Sequence, residues 1–225
     1  MDTADPPLAV DIDGTLSRAD RSIDGRVLDV LRGWDGPVVV ATGKALPYAV
    51  ALCQFAGIDE RVIAENGGVA YVGDELLHFG DSRAVEQVAA AFEDAGHDIG
   101  WGDADLTNRW RETELAVSRE QPLDVLSALA ADHGLHVVDT GFAYHVKPES
   151  MSKGNALPAV AARLGVTAGD FVAVGDSAND VELFEAVGES YAVGNADDHA
   201  KGAAETVLSE THGDGFLAAV DRIRS

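Results

Sequence analysis

The sequence predicts an α/β protein: a parallel sheet covered by helices, with a smaller α+β unit inserted between its halves. Three observations carry that expectation. Short apolar runs at 8–10, 37–41, 62–64 and 171–174 alternate with helical stretches, and strands that are apolar throughout belong to parallel sheets buried on both faces. Three of these runs leave into polar clusters, namely Asp11 with Asp13, Thr42, and Asp176 with Asp180. Such clusters belong at the carboxyl edge of an open sheet, where ligands bind. Between residues 81 and 149 the rhythm changes to helix, two strands, helix, two strands.

In chain order, 8–10 is the first strand, and Gly14 lets the chain turn immediately after it. Residues 22–34 form a helix with Ser22 or Asp24 as cap and Val27, Leu28, Val30 and Leu31 on its apolar face. The strand at 37–41 runs into Thr42-Gly43-Lys44, and a helix over 47–56 closes at Gly57. The strand at 62–64 exits into Glu65-Asn66-Gly67-Gly68, and 69–72 with 75–79 flank Gly73-Asp74 as a hairpin. In the insert, 82–95 is an amphipathic helix with Val85, Val88, Ala89 and Phe92 on one face. Residues 99–101 and 114–118 are expected as strands, 123–133 as a helix, and 135–139 with 142–146 as a hairpin about Thr140-Gly141. The α/β pattern resumes with a helix at 153–164, a strand at 171–174, a helix at 181–186, a strand at 190–193, and helices at 200–207 and 215–223.

Composition sets limits on function. The 225 residues are 46% hydrophobic, enough for a full core, and no apolar run approaches a membrane span. The stretch 1–7 is acidic, unlike a signal peptide. One cysteine, Cys53, excludes an internal disulfide and fits a reducing cytoplasm; its apolar helical setting predicts an inert buried thiol. The net charge of −23 repels nucleic acid and anionic membranes, so neither is expected as a partner. The acids are scattered and only Lys44, Lys147, Lys153 and Lys201 are lysines, a surface resembling that of proteins from salt-loving archaea. General acidity is therefore no argument for a metal site.

The strand exits carry the chemistry. Two residues apart on a strand, Asp11 and Asp13 lie on one side of the chain, and like charges this close need a cation or a proton between them. With Asp176 and Asp180 at the same edge, four carboxylates call for a hard divalent cation such as Mg²⁺. The Thr42 hydroxyl and the N–H groups about Gly43 can donate to phosphoryl oxygens, and Lys153 at a helix start adds a fixed positive charge. Nucleophile, metal and donors are the parts of a phosphoryl-transfer site. Plain structural roles stand beside these: Thr42 as a cap of the following helix, and Asn179 and Asp180 as an N-cap and a first-turn acid. Lys44 faces either substrate or solvent. Trp34 is expected in the core, and the seven histidines show no metal spacing. Trp101, Arg109, Trp110 and Arg111 form either a substrate-facing lip or surface packing of the insert.

Together these motifs resemble the haloacid dehalogenase superfamily of phosphohydrolases over nearly the whole chain. The DxDGT motif is Asp11-Ile12-Asp13-Gly14-Thr15, and the apolar strand ending in Thr is Val38-Val39-Val40-Ala41-Thr42-Gly43. The downstream lysine is Lys153 in Met151-Ser152-Lys153-Gly154, and GDxxND is Gly175-Asp176-Ser177-Ala178-Asn179-Asp180. The insert resembles the C2 cap of the Cof-like branch, in which Arg is common where Lys44 stands. The resemblance implies a Rossmann-like core from 1–80 and 150–225 and a C2-type cap domain at 81–149. It implies a Mg²⁺-dependent phosphomonoesterase in which Asp11 forms an aspartyl-phosphate and Asp13 acts as general acid and base. Mg²⁺ is then held by Asp11, the Asp13 carbonyl, Asp176 and Asp180, with Thr42, Gly43, Lys153 and Asn179 at the phosphate. The implied substrate is a small phosphate ester, in the first place 2-phosphoglycolate, with a sugar phosphate as the alternative. A non-hydrolytic phospho-receiver has no use for Asp13 or a cap, and a simple cation-binding protein has none for Lys153 and Thr42. Oligomeric state is left open.

Overall fold

β1 (Leu8–Val10) lies near the middle of an eight-stranded sheet, and its alternation divides the core. Leu8 and Val10 face one side, where they pack with Val27, Leu31 and Phe216; Ala9 faces the other, with Val39, Leu157 and Leu183. The computed structural model describes residues 5–225, so the first four residues of the acidic stretch 1–7 lie outside the described residues.

After β1 come α1 (Gly25–Arg32), β2 (Val38–Ala41), α2 (Leu46–Ala56), β3 (Val62–Ala64), β4 (Val69–Val72) and β5 (Glu75–His78). Next are α3 (Ser82–Asp94), β6 (Leu115–Ser118), α4 (Leu123–Asp132), β7 (His136–Asp139) and β8 (Ala143–Lys147). The chain ends with α5 (Lys153–Arg163), β9 (Val172–Gly175), α6 (Val181–Ala186), β10 (Glu189–Ala192), α7 (Asp198–Ala203), β11 (Thr206–Val207) and α8 (His212–Ile223). The large sheet has the order β11-β10-β9-β1-β2-β3-β4-β5. Its first six strands are parallel, while β4 and β5 form an antiparallel hairpin. The hairpin turns at Gly73 and Asp74, both with positive φ, as a tight two-residue turn of matching twist requires.

Residues between β5 and α5 build a separate antiparallel sheet of order β6-β8-β7. Val85, Val88 and Phe92 of α3 and Leu126 and Ala130 of α4 pack with Leu115, Val117 and Val146 of this sheet in a cluster of their own. Trp34 is buried in the core, as its sequence position suggests. Cys53 is buried too, and burial pushes its thiol up to about 11, so it stays protonated. Among the described residues, no helix is long and apolar enough to cross a membrane.

Two expectations need correction. Residues 99–101 are not a strand: Gly100 adopts φ +84° and Gly102 φ +69°, which turns the chain away after one ladder-like bond from Ser118 N–H to Ile99 O. The helix expected over 200–207 is instead α7, beginning at Asp198 under an Asp197 cap and ending at Ala203. Thr206 and Val207 then pair with Tyr191 and Ala192 as the edge strand β11. The β-branched pair at the end outweighs the apparent helical run.

Candidate active site

The sheet reverses its order at β1: β2 and β3 are added on one side, β9, β10 and β11 on the other. Val10 lies level with Val40 of β2 and Val174 of β9. Asp11, Thr42 and Asp176 therefore emerge within a residue of one another in register, at the switch point where α/β sheets bind ligands.

The turn after β1 presses against β9's exit. Gly14 has φ +81°, and a Cβ on it would stand 2.1 Å from Asp176 Oδ2, so only glycine lets the loop pass. Thr15 Oγ1 donates to Asp176 Oδ1 at 3.3 Å. At the start of α5, the wholly buried Lys153 ammonium donates to Asp11 Oδ1 and Asp180 Oδ1, each at 2.7 Å, and to Asn179 Oδ1 at 3.1 Å. Asp180 Oδ2 accepts from the N–H groups of Asp176 at 3.0 Å and Ser177 at 3.2 Å. Asp180 is thus the first-turn acid the sequence allowed, behind Ser177 rather than Asn179 as N-cap, while also lying in the cluster.

Carboxylate oxygens of Asp11, Asp176 and Asp180 lie within 4.8 Å of one another. Burial, first of all, pushes the Asp11 carboxyl above the usual range; Lys153 opposes this, and Asp180 and Asp13 add to it. Asp176 is raised by burial and then by its neighbours Asp11 and Asp180. Lys153 resists its own burial because Asp11 and Asp180 hold its proton firmly. When all three carboxylates are ionised, the single ammonium leaves two negative charges uncompensated. An all-oxygen donor set with that deficit suits a hard divalent cation.

The remaining predicted residues fall around this cluster. Thr42 is fully buried and its Oγ1 accepts from Lys44 N–H at 3.1 Å. It does not cap α2, whose N-cap is Ala45. Asp13, with its side chain 48% exposed, stands outside the three-carboxylate cluster, and its Oδ2 lies 2.9 Å from Lys44 Nζ. Lys44 therefore faces the site. A cavity of about 530 Å³ opens above, lined by Asp11, Asp13, Gly43, Lys44 and Asn179. Lys153 and Thr42 sit behind that lining.

The opposite wall comes from the segment between β5 and α5. Of its four candidate lip residues, Arg111 lines the cavity, whereas Trp101 stacks on Phe142 with centroids 5.5 Å apart. Trp110 packs edge-on against Tyr48 of α2, and Arg109 lies over the Trp110 ring. Beside Arg111, His145 also lines the cavity, and between them lies Glu114, wholly buried, ion-paired with Arg111 and with its Oε2 3.2 Å from His145 Nδ1. Burial alone would raise the Glu114 carboxyl; Arg111, then His145 and a hydrogen bond from Asn66, hold it down at about 2. Asn66 joins the two walls: its amide donates to Glu114 Oε2 at 2.8 Å and accepts from Asn179 Nδ2 at 3.0 Å. Its neighbour Glu65, also buried, accepts from the N–H groups of Glu112 and Thr113 and from Thr113 Oγ1. Both residues hold positive φ, +51° and +52°, a strained turn of the kind found at functional sites. A usable signal was present: a polar pair at a strand exit, and a histidine at an inward-facing place on β8.

This arrangement, a carboxylate cluster with a buried lysine at the switch point of a parallel sheet, defines a phosphoryl-transfer hydrolase fold and site. The profile of the haloacid dehalogenase-like hydrolases matches residues 8–121 and 113–220, and the chain belongs to that family. It is 56% identical over 220 residues, 97% of each chain, to a protein of Natronomonas pharaonis named phosphoglycolate phosphatase. A protein of Haloarcula marismortui with the same name is 52% identical over 222 residues, 98% of each chain. Among solved structures, one from Thermoplasma acidophilum superposes with a TM-score of 0.82 at 22% identity, covering 98% of this chain and 99% of that one. The last likeness concerns the fold alone.

Proposed function

We propose that the chain hydrolyses 2-phosphoglycolate to glycolate and phosphate with Mg²⁺, through an aspartyl-phosphate on Asp11. The observation that carries the reaction type is the meeting of Asp11, Asp176, Asp180 and the buried Lys153 at one point. The substrate reading is supported by the names of relatives that match nearly the whole chain.

Asp11, Asp176 and the Asp13 backbone carbonyl would hold Mg²⁺, with Asp180 steadying the set through Lys153 and the loop N–H groups. When bound, the cation screens the charge between the Asp11 carboxylate and the phosphate dianion. Lys153, Thr42, the N–H groups at Gly43 and Asn179 orient the phosphoryl group. An Asp11 oxygen bonds to phosphorus while the bond from phosphorus to the ester oxygen breaks, and Asp13 gives that oxygen its proton. Asp13 then takes a proton from a water that attacks the aspartyl-phosphate; phosphate leaves and the Asp11 carboxylate returns. Lys44 holds the half-exposed Asp13 side chain in place for both transfers. Residues 81–149 act as a cap that limits water and selects the leaving group.

The test is a comparison of kcat/KM for 2-phosphoglycolate, triose phosphates and hexose phosphates, with Mg²⁺ in concentrated KCl. A preference for 2-phosphoglycolate is expected; a preference for a hexose phosphate overturns the substrate, and no hydrolysis of any ester overturns the reaction.

The charge balance yields a second expected outcome. Asp11 and Asp176 titrate higher in the folded protein than in the unfolded chain, so the metal-free fold carries extra protons between about pH 4 and about pH 8. Its stability therefore falls as pH rises through that window. Mg²⁺ offsets the repulsion where both groups are ionised. The rise in Tm on adding MgCl₂, at constant ionic strength, should be larger at pH 8 than at pH 5; an equal rise at both contradicts the assignment.

A further inference from the structure

We propose that Arg111 and His145 bind the carboxylate of the substrate and so separate 2-phosphoglycolate from phosphate esters with uncharged leaving groups. This inference rests on the proposed phosphoglycolate activity and names the residues that give it its selectivity.

Arg111 is held as a fixed fork. Its side chain is only 6% exposed; Nε donates to Thr107 O at 2.9 Å and Nη1 to Glu114. Among the described residues, Nη2 donates to no protein group, and the side chain lines the cavity. A guanidinium carries five N–H donors, and a purely structural pairing with Glu114 leaves several of them unspent. Buried donors that face open space are satisfied by water or by a ligand. His145 lies beside it. Its Nδ1 is 3.2 Å from Glu114 Oε2 but off the line of a hydrogen bond, so this buried nitrogen is unpartnered among the described residues, and the side chain lines the same cavity. Arg111 is thus anchored on Glu114 with donors to spare, and His145 stands beside the same carboxylate with a buried nitrogen still unpartnered.

The pair lines the same cavity as Asp11 and Asp13 and is linked to the reacting centre by hydrogen bonds. Four hydrogen bonds connect Asp11 to Glu114 through Lys153, Asn179 and Asn66. A single amide group, that of Asn66, separates the residue beside Lys153 from the residue that anchors Arg111. In 2-phosphoglycolate, one ester oxygen and one methylene carbon separate phosphorus from the carboxyl carbon. A ligand whose phosphoryl group sits at Asp11 in this cavity directs its other end toward the wall that carries Arg111 and His145. The planar fork of arginine matches a carboxylate edge with two parallel bonds.

Other cations near the cavity are committed or exposed. Lys44 pairs with Asp13, and Arg18 with Asp24. Arg21 lies exposed at the rim, its guanidinium 5.9 Å over the Phe142 ring, where water screens it. Among the described residues lining the cavity, Arg111 alone combines burial, a rigid anchor and spare donors.

The experiment compares kcat/KM for 2-phosphoglycolate and ethyl phosphate, in which a methyl group replaces the carboxylate. The enzymes are the wild type, Arg111→Lys, His145→Gln, and the double variant Arg111→Met with Glu114→Gln, which keeps the buried charge balanced should a single change fail to fold. Arg111→Lys and the double variant should lower kcat/KM for 2-phosphoglycolate by about 10- to 100-fold, the worth of charge-assisted hydrogen bonds, and leave ethyl phosphate nearly unchanged. His145→Gln should change the ratio in the same direction by less. A structural role lowers both esters together. Equal losses in variants of a wild type that prefers 2-phosphoglycolate overturn this inference and leave the substrate standing. A wild type without that preference overturns both.

Discussion

Asp11→Asn is expected to abolish hydrolysis, lowering kcat by ~10⁴-fold or more, in a protein that melts no lower than the wild type. The amide cannot form the bond to phosphorus, and loss of a nucleophile removes the whole covalent route rather than one contact. The fold has no reason to suffer. The Asp11 carboxyl is raised above its normal range by burial and by Asp180 and Asp13, so the charge it brings is an unfavourable one. An amide oxygen still accepts from Lys153, which keeps Asp180 as its ion-pair partner. Initial rates with saturating Mg²⁺, paired with thermal melting, check both halves. Near-normal turnover would move the nucleophile to another carboxylate; a collapse in Tm would make Asp11 a structural residue first.

Lys153→Met is expected to have the opposite balance, with activity lost and stability lowered by about 3–5 kcal/mol, the usual result of removing one partner from a buried charge cluster. Lys153 is the one cation among Asp11, Asp176 and Asp180, and it is fully buried. Methionine fills nearly the same volume, so packing is retained and the loss is electrostatic. Part of it should return on adding Mg²⁺, which supplies positive charge to the same oxygens. Denaturant titrations at fixed ionic strength, with and without the metal, measure it. A loss below about 1 kcal/mol, the scale of an exposed pair, would show that the carboxylates do not depend on this ammonium.

Much of this site was legible before any coordinates, and for a definite reason. Asp11, Thr42 and Asp176 each follow a short apolar strand, and a parallel sheet carries the ends of its strands to one edge whatever lies between them. Local pattern therefore fixed their convergence. The wall formed by Arg111, Glu114 and His145 had no such rule behind it. Its members sit in the loop after a turn, just ahead of β6 and on β8, and they meet only because β6 and β8 pair with Ala116 opposite His145. The role of Asn66 depends on a left-handed backbone that points its amide between the walls, and nothing short of the fold reveals that. The errors at 99–101 and 200–207 share another cause. Each run had the composition of its expected element, and two glycines in one case and a β-branched pair in the other decided against it.

The turn after β3 has a consequence for anyone who wishes to exchange parts between relatives. Glu65 lies ahead of the segment 81–149, yet its buried carboxylate is satisfied by Glu112 and Thr113 within it. Burial pushes that carboxyl up, and the donors from Thr113 and Glu112 counter the push. A chimera joined at residues 81 and 149 severs this pairing and strands an acid in the interior unless the donor sequence offers equivalent N–H groups. Graft boundaries should therefore be chosen so that Glu65 and Asn66 travel with the segment they grip.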